Sequence, residues 1–150
     1  MGLGKAAELA VKALANGEDT EMASLRDRLE RAILGSVESA GVNGAGAPRV
    51  PNTTNIYFDY IEGEALVITL DLKGLAVSTG AACSSGAIEP SHVLTAMGLL
   101  PDRARASIRF SLGKQNTSGD VDFATQLLPA SVERLRELSP LYNRKSPVPS

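Results

Sequence analysis

Apolar residues recur at helical spacing near the start of the chain. Ala6, Ala7, Ala10, Ala13 and Leu14 share a face until Asn16-Gly17 interrupts them. A second stripe, Leu25, Leu29, Ala32, Ile33 and Val37, predicts another helix, with Asp19 or Thr20 as its cap. On its polar side Arg26–Glu30 and Asp27–Arg31 stand at the i,i+4 spacing of supporting ion pairs. Gly41 to Pro51 is rich in Gly, Ala and Pro and reads as loop, with room for a short strand near Val42. From Asn55 to Tyr60 the period shortens to two: Ile56 and Phe58 alternate with Tyr57 and Asp59, a strand pattern. Glu62 to Leu72 returns to a helix, with Ala65, Leu66, Thr69 and Leu70 inward and Gly74 as the stop.

Leu75 to Val77 predicts a short strand leading into a loop. Pro90 opens a helix through Met97, ended by Gly98. Ala106 to Leu112 is a further strand, with Ile108 and Phe110 alternating against Arg109 and Ser111. Thr117 and Asp120 form a capping box with Asp in the usual Glu position. Val121, Ala124, Leu128, Val132, Leu135 and Leu138 then hold helical spacing. Pro129 lies inside that run, so a kink or a helix-to-helix break is expected there. The order of elements predicts an α+β fold, a small mixed sheet covered by helices. Three regions follow: helices over 1–40, a small domain over 41–142 that carries a loop at 78–89, and a flexible tail over 143–150 with two prolines.

Composition narrows the function classes. A chain of 150 residues with 43% hydrophobic and 21% charged residues has ordinary globular proportions. A net charge of −2 with scattered basic residues carries no nucleic-acid signature. No apolar run approaches the roughly 20 residues of a membrane span, so no membrane partner is expected. Met1 is followed by a helical pattern, not by a signal peptide. One cysteine permits no internal disulfide, and with no signal it points to a reducing, cytoplasmic setting. One Cys and one His without clustered carboxylates argue against a metal site in this chain.

That single cysteine is Cys83. From Ser78 to Gly86 every other residue is Ser, Thr, Gly or Ala. Such a run builds no apolar face and no bulky cover, so the thiol reads as a loop nucleophile or sulfur carrier. The competing reading is a small hydrophobe tucked under the loop, because free Cys is often buried. Arg109 is the second candidate. It projects from a strand opposite core residues, where a guanidinium suits bidentate capture of a carboxylate; the alternative is a structural ion pair. His92 lies nine residues after Cys83 at a helix start, where the dipole disfavours an imidazolium, so it reads as a solvated histidine. Gly2-Leu3-Gly4-Lys5 lacks the preceding strand and spacing of a phosphate loop and is set aside.

The run Ser78-Thr79-Gly80-Ala81-Ala82-Cys83-Ser84-Ser85-Gly86, continuing Glu89-Pro90-Ser91-His92-Val93-Leu94, resembles the cysteine desulfurases of the class V aminotransferase fold, in the group with a long cysteine loop. Arg49-Val50-Pro51-Asn52-Thr53-Thr54-Asn55-Ile56, Glu62-Gly63-Glu64-Ala65-Leu66 and Ser107-Ile108-Arg109-Phe110-Ser111-Leu112-Gly113 fit the C-terminal region of that family. Gly2 to Ala10 resembles the long helix leaving its large domain, so the resemblance spans about residues 2–140. It implies a protein in which pyridoxal phosphate holds L-cysteine, a loop cysteine takes the substrate sulfur as a persulfide, and alanine leaves. Cys83 would be that nucleophile and Arg109 the carboxylate anchor. The persulfide would serve a sulfur acceptor or iron–sulfur scaffold protein, with a homodimer expected for the full-length protein. The family's cofactor lysine follows a histidine, and none of Lys5, Lys12, Lys73, Lys114 or Lys145 does. The resemblance therefore implies a C-terminal small domain that binds no cofactor alone and is inactive without the cofactor-bearing large domain. A non-catalytic sulfur-relay or interaction module using Cys83 is the alternative. A thiol peroxidase or redox sensor lacks a resolving cysteine here.

Overall fold

The computed structural model describes residues 2–79 and 90–143. Two helices open the chain, α1 (Gly2–Ala15) and α2 (Glu18–Ser36), as their apolar stripes predict. The second starts at Glu18, ahead of the expected cap at Asp19 or Thr20, which brings Glu18, Asp19 and Glu21 into its first turn against the positive end of the helix dipole. Along α1 no residue is buried, and Leu3, Val11 and Leu14 stand well exposed.

The sheet contains β1 (Ala40–Val42), β2 (Thr53–Phe58), β3 (Ser78–Thr79) and β4 (Ser107–Ser111), in the spatial order β1-β2-β4-β3. The expected α+β arrangement is present, and all three of these pairings are antiparallel rather than mixed. Two-residue periodicity divides the sheet into two faces. Thr54, Ile56 and Phe58 of β2 and Ile108 and Phe110 of β4 are buried on one of them. Against that face pack α3 (Gly63–Asp71) through Leu66 and Leu70, α2 through Leu29 and Ile33, and α6 (Ser118–Leu138) through Val121, Ala124, Leu128 and Val132. Each large side chain here contributes about 1.5–3 kcal/mol on burial. Gly63 is required at the start of α3, because a Cβ there would meet the Arg105 carbonyl.

Several local expectations change. Leu75 and Val77 are not strand residues; they pack partly buried against the core, and the strand forms just after them at Ser78–Thr79. The helix expected from Pro90 begins at His92 as α4 (His92–Ala96). A further short helix, α5 (Pro101–Arg105), follows, with Pro101 in its first turn. The Thr117 capping box forms: Thr117 N donates to Asp120 Oδ2 at 2.7 Å, and Asp120 N donates to Thr117 Oγ1 at 3.4 Å. Those bonds from Thr117, backbone first, hold the Asp120 carboxyl below its ordinary range. α6 runs through Pro129 as one helix without the helix-to-helix break, and α7 (Pro140–Asn143) follows it. The tail from residue 144 lies outside the described residues.

Neither i,i+4 pair of α2 forms. Arg26 turns to Asp27 and to the Val50 carbonyl, while Glu30 is taken by Arg49 from the following loop. Two parallel bonds, Nη1–Oε1 at 2.6 Å and Nη2–Oε2 at 3.2 Å, join a carboxylate 12% exposed to a guanidinium 21% exposed. Burial alone would raise the Glu30 carboxyl. The hydrogen bond and charge of Arg49, aided by Thr54 and Arg26, outweigh that effect and hold it below its usual value. The Thr54 hydroxyl is fully buried and makes no hydrogen bond of good geometry, so Arg49 is the dominant partner.

Candidate active site

The sheet face turned away from the core collects polar residues, and the strand register decides which of them meet. With Ile108 and Phe110 inward, Arg109 projects outward and is exposed. It stands opposite Asn55 of β2 on one side and opposite Ser78 of β3 on the other. Opposed residues of an antiparallel pair hold their Cβ atoms about 4.5–5.5 Å apart, so these three form one row. A second row joins Tyr57 to Ser107, with Gly41 of β1 opposite Tyr57. Gly41 allows the Tyr57 ring to lie against the backbone, where any Cβ would collide with it.

Hydrogen bonds fix this face. Asn43 Nδ2 donates to Asn55 Oδ1 and, at 3.0 Å, to Ser107 Oγ. Ser107 Oγ donates in turn to the Arg103 carbonyl at 2.7 Å. The Arg103 guanidinium lies 4.4 Å from the Tyr57 ring centre and grips Asp59 through two 2.9 Å bonds. That hydrogen bond to Asp59 and the accompanying charge raise the guanidinium above its ordinary range, so Arg103 is already matched by an anion. Arg109 is different. Among the described residues its guanidinium forms no ion pair and donates no hydrogen bond. The face therefore offers one unmatched planar fork, anchored on a strand, to an incoming carboxylate.

Cys83 lies outside the described residues, as do the other positions from Gly80 to Glu89. The described chain ends in the sheet at Thr79, one residue past the Ser78 neighbour of Arg109, and resumes at Pro90. His92 is exposed in the first turn of α4. No group of three or more His, Cys, Asp or Glu side chains suited to a metal ion occurs among the described residues. Nor is any described helix long and apolar enough to cross a membrane.

Three of the described lysines are already engaged. Lys5 and Lys12 pair with Glu8 on α1, and Lys73 donates to Ser131 at 3.0 Å.

Sequence reasoning did not single out Asn43, Asn55, Ser107 or the Arg103–Tyr57 stack. The alternation already put Asn55 and Tyr57 on the outward face; their partners depend on register, which periodicity does not encode. Arg136 was also missed, because its position in an amphipathic helix resembles that of any polar-face arginine. It is only 4% exposed, and it donates to the backbone carbonyls of Glu38, Ser39 and Asp59 at 2.7, 3.3 and 3.2 Å.

Comparison with known proteins adds a consistent set of relatives. The family model described as aminotransferase class-V matches residues 1–123. A protein named cysteine desulfurase from Trichormus azollae is 48% identical over 143 residues, which make up 95% of this chain and 36% of the relative. Cysteine desulfurase IscS 1 of Archaeoglobus fulgidus is 45% identical over 145 residues, 96% of this chain and 37% of its own length. Cysteine desulfurase NifS of Azotobacter vinelandii is 44% identical over 148 residues, 99% of this chain and 37% of its own length. This chain thus spans about a third of the length of the curated relatives it matches. Among solved structures, a NifS-like protein superposes with a TM-score of 0.71 at 30% identity, over 85% of this chain and 31% of that one.

Proposed function

The chain belongs to the aminotransferase class-V family, and on that premise we propose that it is the sulfur-accepting, carboxylate-anchoring part of a cysteine desulfurase. The observation that carries the reading is Arg109: an unmatched guanidinium on a rigid strand, next to the base of the segment that holds the only cysteine. Cys83 stands four positions after Thr79, and four residues of chain span at most about 14 Å. A thiol on that segment is within reach of a substrate held at Arg109.

Pyridoxal phosphate, the cofactor general to this family, supplies an electron sink when bound and comes with the remainder of the parent protein. The residues of this chain do the rest. Arg109 grips the α-carboxylate of L-cysteine through two parallel N–H···O bonds and so sets the direction of its thiol. The Cys83 thiolate attacks the substrate sulfur. The new S–S bond forms as the carbon–sulfur bond breaks, and the carbon keeps the electron pair and takes a proton to leave as alanine. The persulfide on Cys83 is then carried to a sulfur acceptor or an iron–sulfur scaffold protein. The parent acts as a homodimer in the cytoplasm, a setting that suits a lone thiol. α1, with its exposed Leu3, Val11 and Leu14, leads from the cofactor-bearing domain and packs against it. This chain alone is inactive.

Replacing Arg109 in the full-length parent tests the reading. Loss of a charge-assisted bond to a carboxylate costs about 1.5–3 kcal/mol, so Arg109→Ala lowers kcat/KM for L-cysteine at least tenfold while the cofactor stays bound. An unchanged kcat/KM removes Arg109 from substrate binding.

A further inference from the structure

The Asn55 side chain lies on the outward face directly opposite Arg109, and its carboxamide is not free to turn. The network that holds it has one direction. Ser107 Oγ spends its proton on the Arg103 carbonyl, so it can only accept from Asn43 Nδ2. Asn43 therefore presents N–H groups, and the group of Asn55 that faces it must be the oxygen, Oδ1. Asn55 Nδ2 is left outside the network with two N–H donors and no acceptor among the described residues. A pair of neutral donors thus stands at the strand position paired with Arg109, on the same row of the same face.

We propose that Asn55 is a second substrate-binding residue, whose amide N–H groups join Arg109 in holding the α-carboxylate of L-cysteine, and that Asn43 is the positioning residue that aims them. The proposal rests on the reading of Arg109 as carboxylate anchor. A carboxylate has about four acceptor sites on its two oxygens, more than one guanidinium edge occupies. An amide beside the fork fills another without adding charge, and its fixed orientation costs no further ordering when substrate arrives.

The experiment uses the full-length parent, with Arg109→Ala, Asn43→Ala, Asn55→Ala and Asn55→Asp compared on L-cysteine and on its methyl ester, which lacks the carboxylate charge. Asn55→Ala raises KM for L-cysteine about tenfold, the size of one hydrogen bond to a charged group. Asn55→Asp raises it on the order of a hundredfold, because a second carboxylate then faces the first. Asn43→Ala gives a smaller rise in the same direction. On the methyl ester the Asn55→Asp effect shrinks sharply, which a purely structural defect would not produce. If Asn55→Asp does not fold, Asn55→Ser and Asn55→Ala on the two substrates give the same discrimination. If Arg109→Ala weakens L-cysteine and the Asn55 variants leave its KM within about twofold of the parent, or weaken both substrates equally, Asn55 does not touch the carboxylate and the proposal is overturned. If Arg109→Ala is also without effect, the anchor reading itself falls.

Discussion

Replacing Arg136 with Met should be among the most destabilising single changes outside the apolar core. The guanidinium bridges two turns. Glu38 and Ser39 connect α2 to β1, and Asp59 follows β2 on the way to α3, so one side chain of α6 holds both connections. Ser39 and Tyr60, at φ 51° and 74°, occupy the left-handed region that non-glycine residues avoid, so both turns depend on surrounding contacts. The magnitude follows from which carbonyls lose a partner. Ser39 O keeps the Asp59 N–H at 2.9 Å, whereas the Glu38 and Asp59 carbonyls receive their side-chain bonds from Arg136 alone. Arg136 is itself buried and each of its two unshared bonds to a carbonyl is charge-assisted, worth about 1.5–3 kcal/mol; methionine recovers part of the packing, so a loss of about 3 kcal/mol is expected. In a chain of this size that corresponds to a fall in Tm of about 6–12 °C. Urea unfolding followed by far-ultraviolet circular dichroism measures the first quantity, and a thermal melt the second. Arg136→Lys keeps the charge but not the planar fork and should recover stability only in part. A Met variant within about 1 kcal/mol of the parent chain would show that water satisfies these carbonyls and that Arg136 is not a clamp.

Acid stability should depend on Glu30. Its folded value lies below its unfolded one, so its contribution is complete above the unfolded carboxylate range, about pH 4–5, and is lost as pH falls through the folded value. Glu30→Gln should flatten the acid limb of a stability–pH curve, and Arg49→Ala, which leaves burial to raise the carboxyl, should flatten it too; a limb unchanged in both would place the acid sensitivity elsewhere. Arg109→Lys in the full-length parent should restore only part of the kcat/KM lost in Arg109→Ala, because a point charge replaces a fork. Complete rescue would mean that charge alone is required.

The apolar half of the fold was legible because it is periodic. Ile56 and Phe58, Ile108 and Phe110, and the stripes holding Leu29, Ile33, Val121, Leu128 and Val132 all bury as their spacing demands. Failures came where a short segment has no period of its own. Leu75 and Val77 are apolar enough for a strand, but the pairing with β4 falls to Ser78 and Thr79, and Leu75 and Val77 pack against the core instead. α5 spans five residues, too few for any periodicity to register, and its signal was Pro101 followed by Asp102. Ion pairs were misjudged for a different reason. Local spacing favoured Arg26 for Glu30, but Arg49, nineteen positions away, arrives from a loop with a bidentate geometry that an i,i+4 neighbour rarely reaches. Arg109 could be singled out from its strand alone. Its company of Asn55, Ser78 and the Asn43–Ser107 network could not, since those residues meet only through the register of four strands.

The account turns on the sulfur passing through Cys83. Incubating the full-length parent with L-cysteine, trapping thiols and persulfides with an alkylating reagent, and mapping the modified peptides by mass spectrometry tests this most directly. The predicted result is one additional sulfur on the peptide containing Cys83, alanine released in parallel, and neither product from Cys83→Ala although the cofactor remains bound. A Cys83→Ala protein that still forms a persulfide on another residue, or a parent peptide that carries no added sulfur while alanine accumulates, would contradict it.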